Sequence, residues 1–151
     1  MTRDNAMSLD GTYDDGNIFA KILRGEAPAV RVFEDEQVLA FMDVFPQSRG
    51  HVLVIPKATK ARNLLEVEAS VLADLMAGVQ RVAMAVRAAL NPDGIVVTQF
   101  NGSAAGQTVY HLHVHIIPRW EGVALARHGA GGMADMAELR VLADQITAKM
   151  G

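Results

Sequence analysis

The chain contains no cysteine. Disulfides are therefore excluded, and so is a zinc site built on thiolates. No sign of charge dominates: 14 Lys and Arg stand against 17 Asp and Glu, a formal net charge of -3. That balance gives no general electrostatic footprint for nucleic acid. No apolar run approaches the roughly 18 residues needed to span a bilayer, so no membrane partner is expected. The first 16 residues lack the basic start and apolar stretch of a signal peptide. They are polar and rich in Asp, Gly and Asn, and are expected to form a flexible tail (1–16) on a cytoplasmic protein. What remains is ordinary for one globular domain: 151 residues, 50% of them hydrophobic and 21% charged, long enough to bury a core.

Periodicity places the elements. Asn17 can cap a short helix over 18–24 that Gly25 ends. Residues 30–34 and 38–43 read as strands joined at Asp35-Glu36. Residues 51–55 form a near-continuous apolar run closed by Pro56, a strand buried on both faces. From 67 to 90 the apolar positions Val71, Leu72, Leu75, Val79, Val82, Val86 and Leu90 recur at helical spacing. Asn91-Pro92-Asp93-Gly94 ends that long helix, and a strand over 95–101 follows. A Gly/Ala-rich stretch, 122–132, precedes a last helix over 133–150 with Met136, Leu139, Leu142 and Ile146 on one face. One long helix among strands with mostly hairpin-type connections predicts an α+β domain with an antiparallel sheet.

The chemistry concentrates at His111-Leu112-His113-Val114-His115-Ile116-Ile117. β-branched and apolar residues at this density predict a strand. Residues two apart on a strand share a face, so the three imidazoles would project together at intervals of roughly 6.5 Å. Packing does not call for such a row; metal binding and phosphate handling both do. His-x-His on a strand is a common ligand pair, although the nearest downstream carboxylate, Glu121, lies beyond the strand. The preceding loop, Asn101 to Thr108, is rich in small residues whose N–H groups can approach an anion closely. Asn101, Gln107 and Thr108 add side-chain donors. Spacing alone leaves metal and phosphate open.

The string 111–117 resembles the His-φ-His-φ-His-φ-φ signature of the histidine triad (HIT) family, φ being apolar. The resemblance extends to Asn17-Ile18-Phe19-Ala20-Lys21-Ile22, to Val38-Leu39-Ala40-Phe41-Met42-Asp43 with Pro46-Gln47, to the run from Gly50 to Lys57, and to Gly106-Gln107-Thr108-Val109-Tyr110. It covers about 17–119 and shifts the weight to phosphate. It implies a HIT-like fold: a five-stranded antiparallel sheet with one short and one long helix, over 17–120, followed by a C-terminal loop and helix over 121–151. It also implies a homodimer that binds a purine nucleotide, such as AMP, GMP or a conjugate, and uses no cofactor.

The implied mechanism is nucleophilic catalysis. His113 attacks the α-phosphorus, a nucleotidyl-histidine forms, and water releases the nucleoside monophosphate, so one hard displacement becomes two easier ones. The family's acceptor for the other ring nitrogen is a main-chain carbonyl of the triad strand. His111 and His115 match the flanking triad histidines, able to contact phosphate oxygens or one another, and His51 matches a fourth family histidine. Asn101, Gln107 and Thr108 match phosphate-binding positions. Asp43 matches the ribose-binding acid, and Phe19, Ile22, Phe41 and Leu53 match the walls of the base pocket. Zinc-binding members use cysteines, which this chain lacks, so no metal is expected. Pro118-Arg119 resembles many bacterial members and the Fhit-like branch, and Asn101 the Hint-like branch. The expected activity is hydrolysis of purine nucleoside phosphoramidates or related adenylates. The alternatives are a dinucleoside polyphosphate hydrolase and a nucleotide-binding protein with little turnover. Activity should fall as pH drops through the His113 pKa, about 6.5 for an ordinary imidazole. Trp120 and His128 take no assigned role.

Overall fold

The computed structural model describes residues 8–126 and 132–151; His128 lies outside the described residues. Its order is α1 (Ile18–Leu23), β1 (Arg31–Glu34), β2 (Val38–Met42), β3 (Val52–Pro56), α2 (Ala69–Leu90), β4 (Gly94–Thr98), β5 (Val114–Arg119) and α3 (Met136–Thr147). The strands form one sheet in the order β1-β2-β3-β5-β4, antiparallel at every pairing. The α+β class, the five strands and the three helices are as expected. The β1–β2 hairpin closes where Asp35 Oδ1 accepts from the N–H groups of Gln37 and Val38, both at 2.8 Å. That is the local bonding that makes Asp a turn residue.

Alternation along the strands sorts side chains onto two faces. Val38, Ala40, Met42, Val52, Val54, Val114 and Ile116 face α2 and α3, where they meet Leu75, Val79, Val82, Val86, Leu139, Leu142 and Ile146 in the main core. The opposite parity, Leu39, Phe41, Leu53 and Ile55, packs with Phe19 and Ile22 of α1 in a second, smaller cluster. Asp43, His51, His113 and His115 continue this second parity. The sheet therefore assigns its chemistry to the α1 face.

At 22 residues, α2 has the length of a bilayer span, and an 18-residue window of it averages a hydropathy of 1.4. Its core face is nonetheless seated on the sheet through Leu75, Val79, Val82 and Val86.

Two expectations about the site strands are corrected. β4 ends at Thr98 rather than at 101, and β5 begins at Val114, so His111 and His113 precede the ladder. The register explains this. β3 pairs Val54 with Val114, and two steps further on it reaches Pro56, which has no N–H to give. The chain over 109–111 bends instead, and Leu112 N–H donates to Ala61 O at 3.0 Å. The helix expected over 133–150 is shorter, beginning after Asp135, whose side chain accepts from Ala137 N–H. Residues 8–16, expected to be a loose tail, lie against the body. Arg62 Nη1 donates to Ser8 O and Leu9 O, and Asn63 Nδ2 to Leu9 O.

Candidate active site

His113 stands at the centre of the α1 face. Its Nδ1 lies 2.7 Å from the carbonyl oxygen of His111. A carbonyl only accepts, so this bond places the proton on Nδ1 and makes Nε2 the nitrogen that carries the ring's lone pair. Phe19 meets the His113 ring edge-on with centroids 4.9 Å apart, and His115 lies 5.1 Å away. The ring is buried at 7% exposure. Its neighbours hold its orientation, and the carbonyl holds its tautomer.

A second chain of bonds fixes His115. Gln47 N–H donates to His51 Nδ1 at 3.0 Å, which puts the neutral His51 proton on Nε2. That nitrogen lies 2.9 Å from His115 Nδ1 and 3.5 Å from Asp43 Oδ2. With Nδ1 accepting, neutral His115 carries its proton on Nε2, a donor beside His113. Asp43 is buried, and its Oδ1 accepts from Phe45 N–H at 2.8 Å. Each carboxylate oxygen has two lone pairs, so this bond does not exhaust its capacity for a sugar hydroxyl.

His111 departs from its expected place. Its Nε2 lies 2.9 Å from Pro56 O and its Nδ1 2.6 Å from the Tyr13 hydroxyl. Both nitrogens are thus engaged by protein, and neither is turned to a phosphate. Burial pushes its pKa below the ordinary imidazole value, in keeping with a neutral ring that donates once and accepts once.

The loop over 101–108 is built as expected, with different duties for its residues. Gln107 is buried; its Oε1 accepts from Gly102 N–H, and its Nε2 donates to Arg62 O and Val109 O. It braces the loop rather than offering its amide to a ligand. Asn101 Oδ1 accepts from Leu64 N–H and from Gln99 Nε2, so a contact with an anion falls to its Nδ2. Thr108 is exposed and lines a cleft of about 260 Å³ with Thr12, Asn17 and Arg62. Phe19, Ile22, Phe41 and Leu53 come together in one cluster, with Phe19 and Phe41 edge-on at 5.3 Å.

Asp43, His51 and His115 each offer a ligand atom within 4.8 Å of the others. His51 Nε2 and His115 Nδ1, at 2.9 Å, share a proton here, and a tetrahedral zinc would require them to part to roughly 3.3 Å.

Sequence reasoning missed Tyr13, Arg62 and the Pro56 carbonyl. Tyr13 stands alone as an aromatic among polar residues, a weak signal, and a backbone carbonyl leaves none.

A buried histidine with a fixed tautomer thus stands beside a second imidazole donor, on the face that also carries Asp43 and His51. The HIT domain matches residues 24–122, and the chain belongs to the HIT family. A Hit-like protein from Bartonella henselae superposes with a TM-score of 0.83 at 49% identity, over 91% of this chain and 98% of that one. The adenosine 5'-monophosphoramidase hnt1 of Schizosaccharomyces pombe is 41% identical over 102 residues, 68% of this chain and 73% of that protein. The adenylylsulfatase HINT3 of Arabidopsis thaliana is 37% identical over 123 residues, 78% of this chain and 62% of that protein.

Proposed function

We propose that the chain is a nucleotide hydrolase that cleaves purine nucleoside phosphoramidates or related adenylates at the α-phosphorus. The observation that carries this reading is the bond from His113 Nδ1–H to the His111 carbonyl, which leaves Nε2 as the nucleophile. Nε2 attacks phosphorus and the bond to the leaving group breaks. The leaving amine, or sulfate in an adenylyl sulfate, departs with the bonding electrons, the amine taking up a proton. Water then attacks the phosphorus, the bond to Nε2 breaks, and the monophosphate leaves. The His115 Nε2–H is a donor for a phosphoryl oxygen as charge develops there, and stabilisation of that kind is usually the largest catalytic term. Asp43 would accept from the ribose hydroxyls, and the cluster of Phe19, Ile22, Phe41 and Leu53 would wall the purine. The relatives from fission yeast and Arabidopsis, with activities on an adenosine phosphoramidate and an adenylyl sulfate, support this substrate class. The working form would be a homodimer in the cytoplasm.

The test is AMP release from adenosine 5′-phosphoramidate by chelator-treated protein, with His113→Ala beside it. Release by the wild type and a loss of at least about 10³-fold in the variant are the expected results. No release by the wild type would overturn the phosphoramidate reading and move the search to dinucleoside polyphosphates. Activity that returned only with added zinc would overturn the histidine mechanism.

A further inference from the structure

The carbonyl that fixes His113 is itself held in part from outside the matched domain. It belongs to His111, in the bend that precedes β5, where no ladder supports the backbone. The His111 ring does that work. Its Nε2–H donates to Pro56 O at the end of β3, and its Nδ1 accepts from the Tyr13 hydroxyl at 2.6 Å. The two rings also meet edge-on, with centroids 5.7 Å apart. Tyr13 reaches this position because the segment around it is fastened at both ends. Upstream, Arg62 and Asn63 hold the carbonyls of Ser8 and Leu9. Downstream, Asp14 closes an Asx turn onto Gly16 N–H, and Asn17 Nδ2 donates to Asp14 O. Burial raises the Tyr13 pKa, which keeps the hydroxyl a donor.

We propose that Tyr13 is a positioning residue for the nucleophile, acting through His111: the line Tyr13 O–H to His111 Nδ1, then His111 C=O to His113 Nδ1–H, selects the Nδ1–H tautomer of His113. The residues that supply it, 8–16, lie before the matched HIT domain, which begins at residue 24. Without the hydroxyl, a buried imidazole nitrogen loses its donor. The His111 ring can then flip or change tautomer, and the peptide carrying its carbonyl loses one of its two anchors.

The inference rests on His113 as nucleophile, and its test has a readout independent of turnover. Tyr13→Phe keeps the ring and removes one oxygen. In full-length ¹⁵N-labelled protein, the wild-type His113 nitrogens should report a single Nδ1–H tautomer. In the variant they should report a mixture. With adenosine 5′-phosphoramidate, kcat should fall about five- to tenfold, the worth of one hydrogen bond to a buried group. KM should stay within about twofold, because Tyr13 does not touch the nucleotide in the proposed mode. Unchanged His113 nitrogens in the variant overturn the inference, whatever happens to the rate. A fall confined to KM also overturns it. If the wild type releases no AMP, the proposed reaction fails, and the nitrogen shifts still decide the role of Tyr13.

Discussion

Among the described residues, four buried histidines carry four different hydrogen-bond assignments, each dictated by its neighbour. His113 gives its proton to a carbonyl, His51 receives a backbone N–H, His115 accepts from His51, and His111 bridges a carbonyl and a phenol. A histidine in water chooses freely between tautomers; here packing and partners choose for it. His111 has a consequence for stability. Its pKa is lowered by burial, so the unfolded chain holds this proton more tightly than the folded one. The stabilisation is therefore complete above the ordinary value of about 6.5 and is lost as pH falls through the lowered folded value. Urea midpoints should be level near pH 7.5 and decline toward pH 5. His111→Gln keeps a donor for Pro56 and cannot titrate, so its decline should be shallower. Equal slopes for the two proteins would remove His111 as the cause.

Each element delivers one part of the site, and the reach of each is set by a few contacts. α1 brings Phe19 and Ile22 to the face that carries His113 and His115, and its start is fixed by Asn17, whose side chain accepts from Ala20 N–H at 2.9 Å. α2 holds the sheet from behind. It approaches β2 closely at Gly78, where a Cβ would stand 2.9 Å from Val38 Cγ2 and 3.2 Å from Cγ1. Val38 is buried at 1% exposure and is stiff at χ1. Gly78→Ala should thus be destabilising: overpacking costs about 1–3 kcal/mol, against a gain of about 1 kcal/mol in helix propensity. A urea midpoint that rose in the variant would show that Val38 yields. The element types were legible in the sequence because their periods are strong, as with the recurrence from Val71 to Leu90 and the run His51 to Ile55. That His113 and His115 share a face was legible through the triad pattern and its parity, whereas His51 came only from the family resemblance. The start of β5 was not legible, because alternation over 109–113 looks the same whether or not a partner strand exists. Only the register shows that Pro56 stands opposite. Nor could the pattern show that Gln107 turns inward to Gly102 and Arg62, because a donor-rich loop reads alike whether its donors face a ligand or one another.

At the scale of the whole molecule, the sheet has an unequal pair of edges. β1 carries Arg31 and Glu34, joined at 2.8 Å, charges that blunt an edge. β4, at the other edge, reads Gly-Ile-Val-Val-Thr, with neither charge nor proline. Val97 is 45% exposed on the α2 side, close to Met76 at 42%, and the two help line an apolar cleft of about 190 Å³ with Leu72 and Leu112. An open, uncharged edge beside an apolar helix face is a template for another copy of itself, and a two-fold axis lets the same patch serve both partners. The proposed homodimer would use it. Sedimentation of the wild type at micromolar concentration should give twice the chain mass, and Val97→Lys should give the monomer. A monomeric wild type would end the dimer reading. The interface would bear on catalysis as well. β4 leads within three residues to Asn101, and Gln99 Nε2 donates to Asn101 Oδ1 at 2.8 Å. Pairing of β4 across the axis would steady the loop proposed to receive the phosphate. The Val97→Lys monomer should therefore remain folded and lose turnover, and the two losses should track each other as protein concentration is varied.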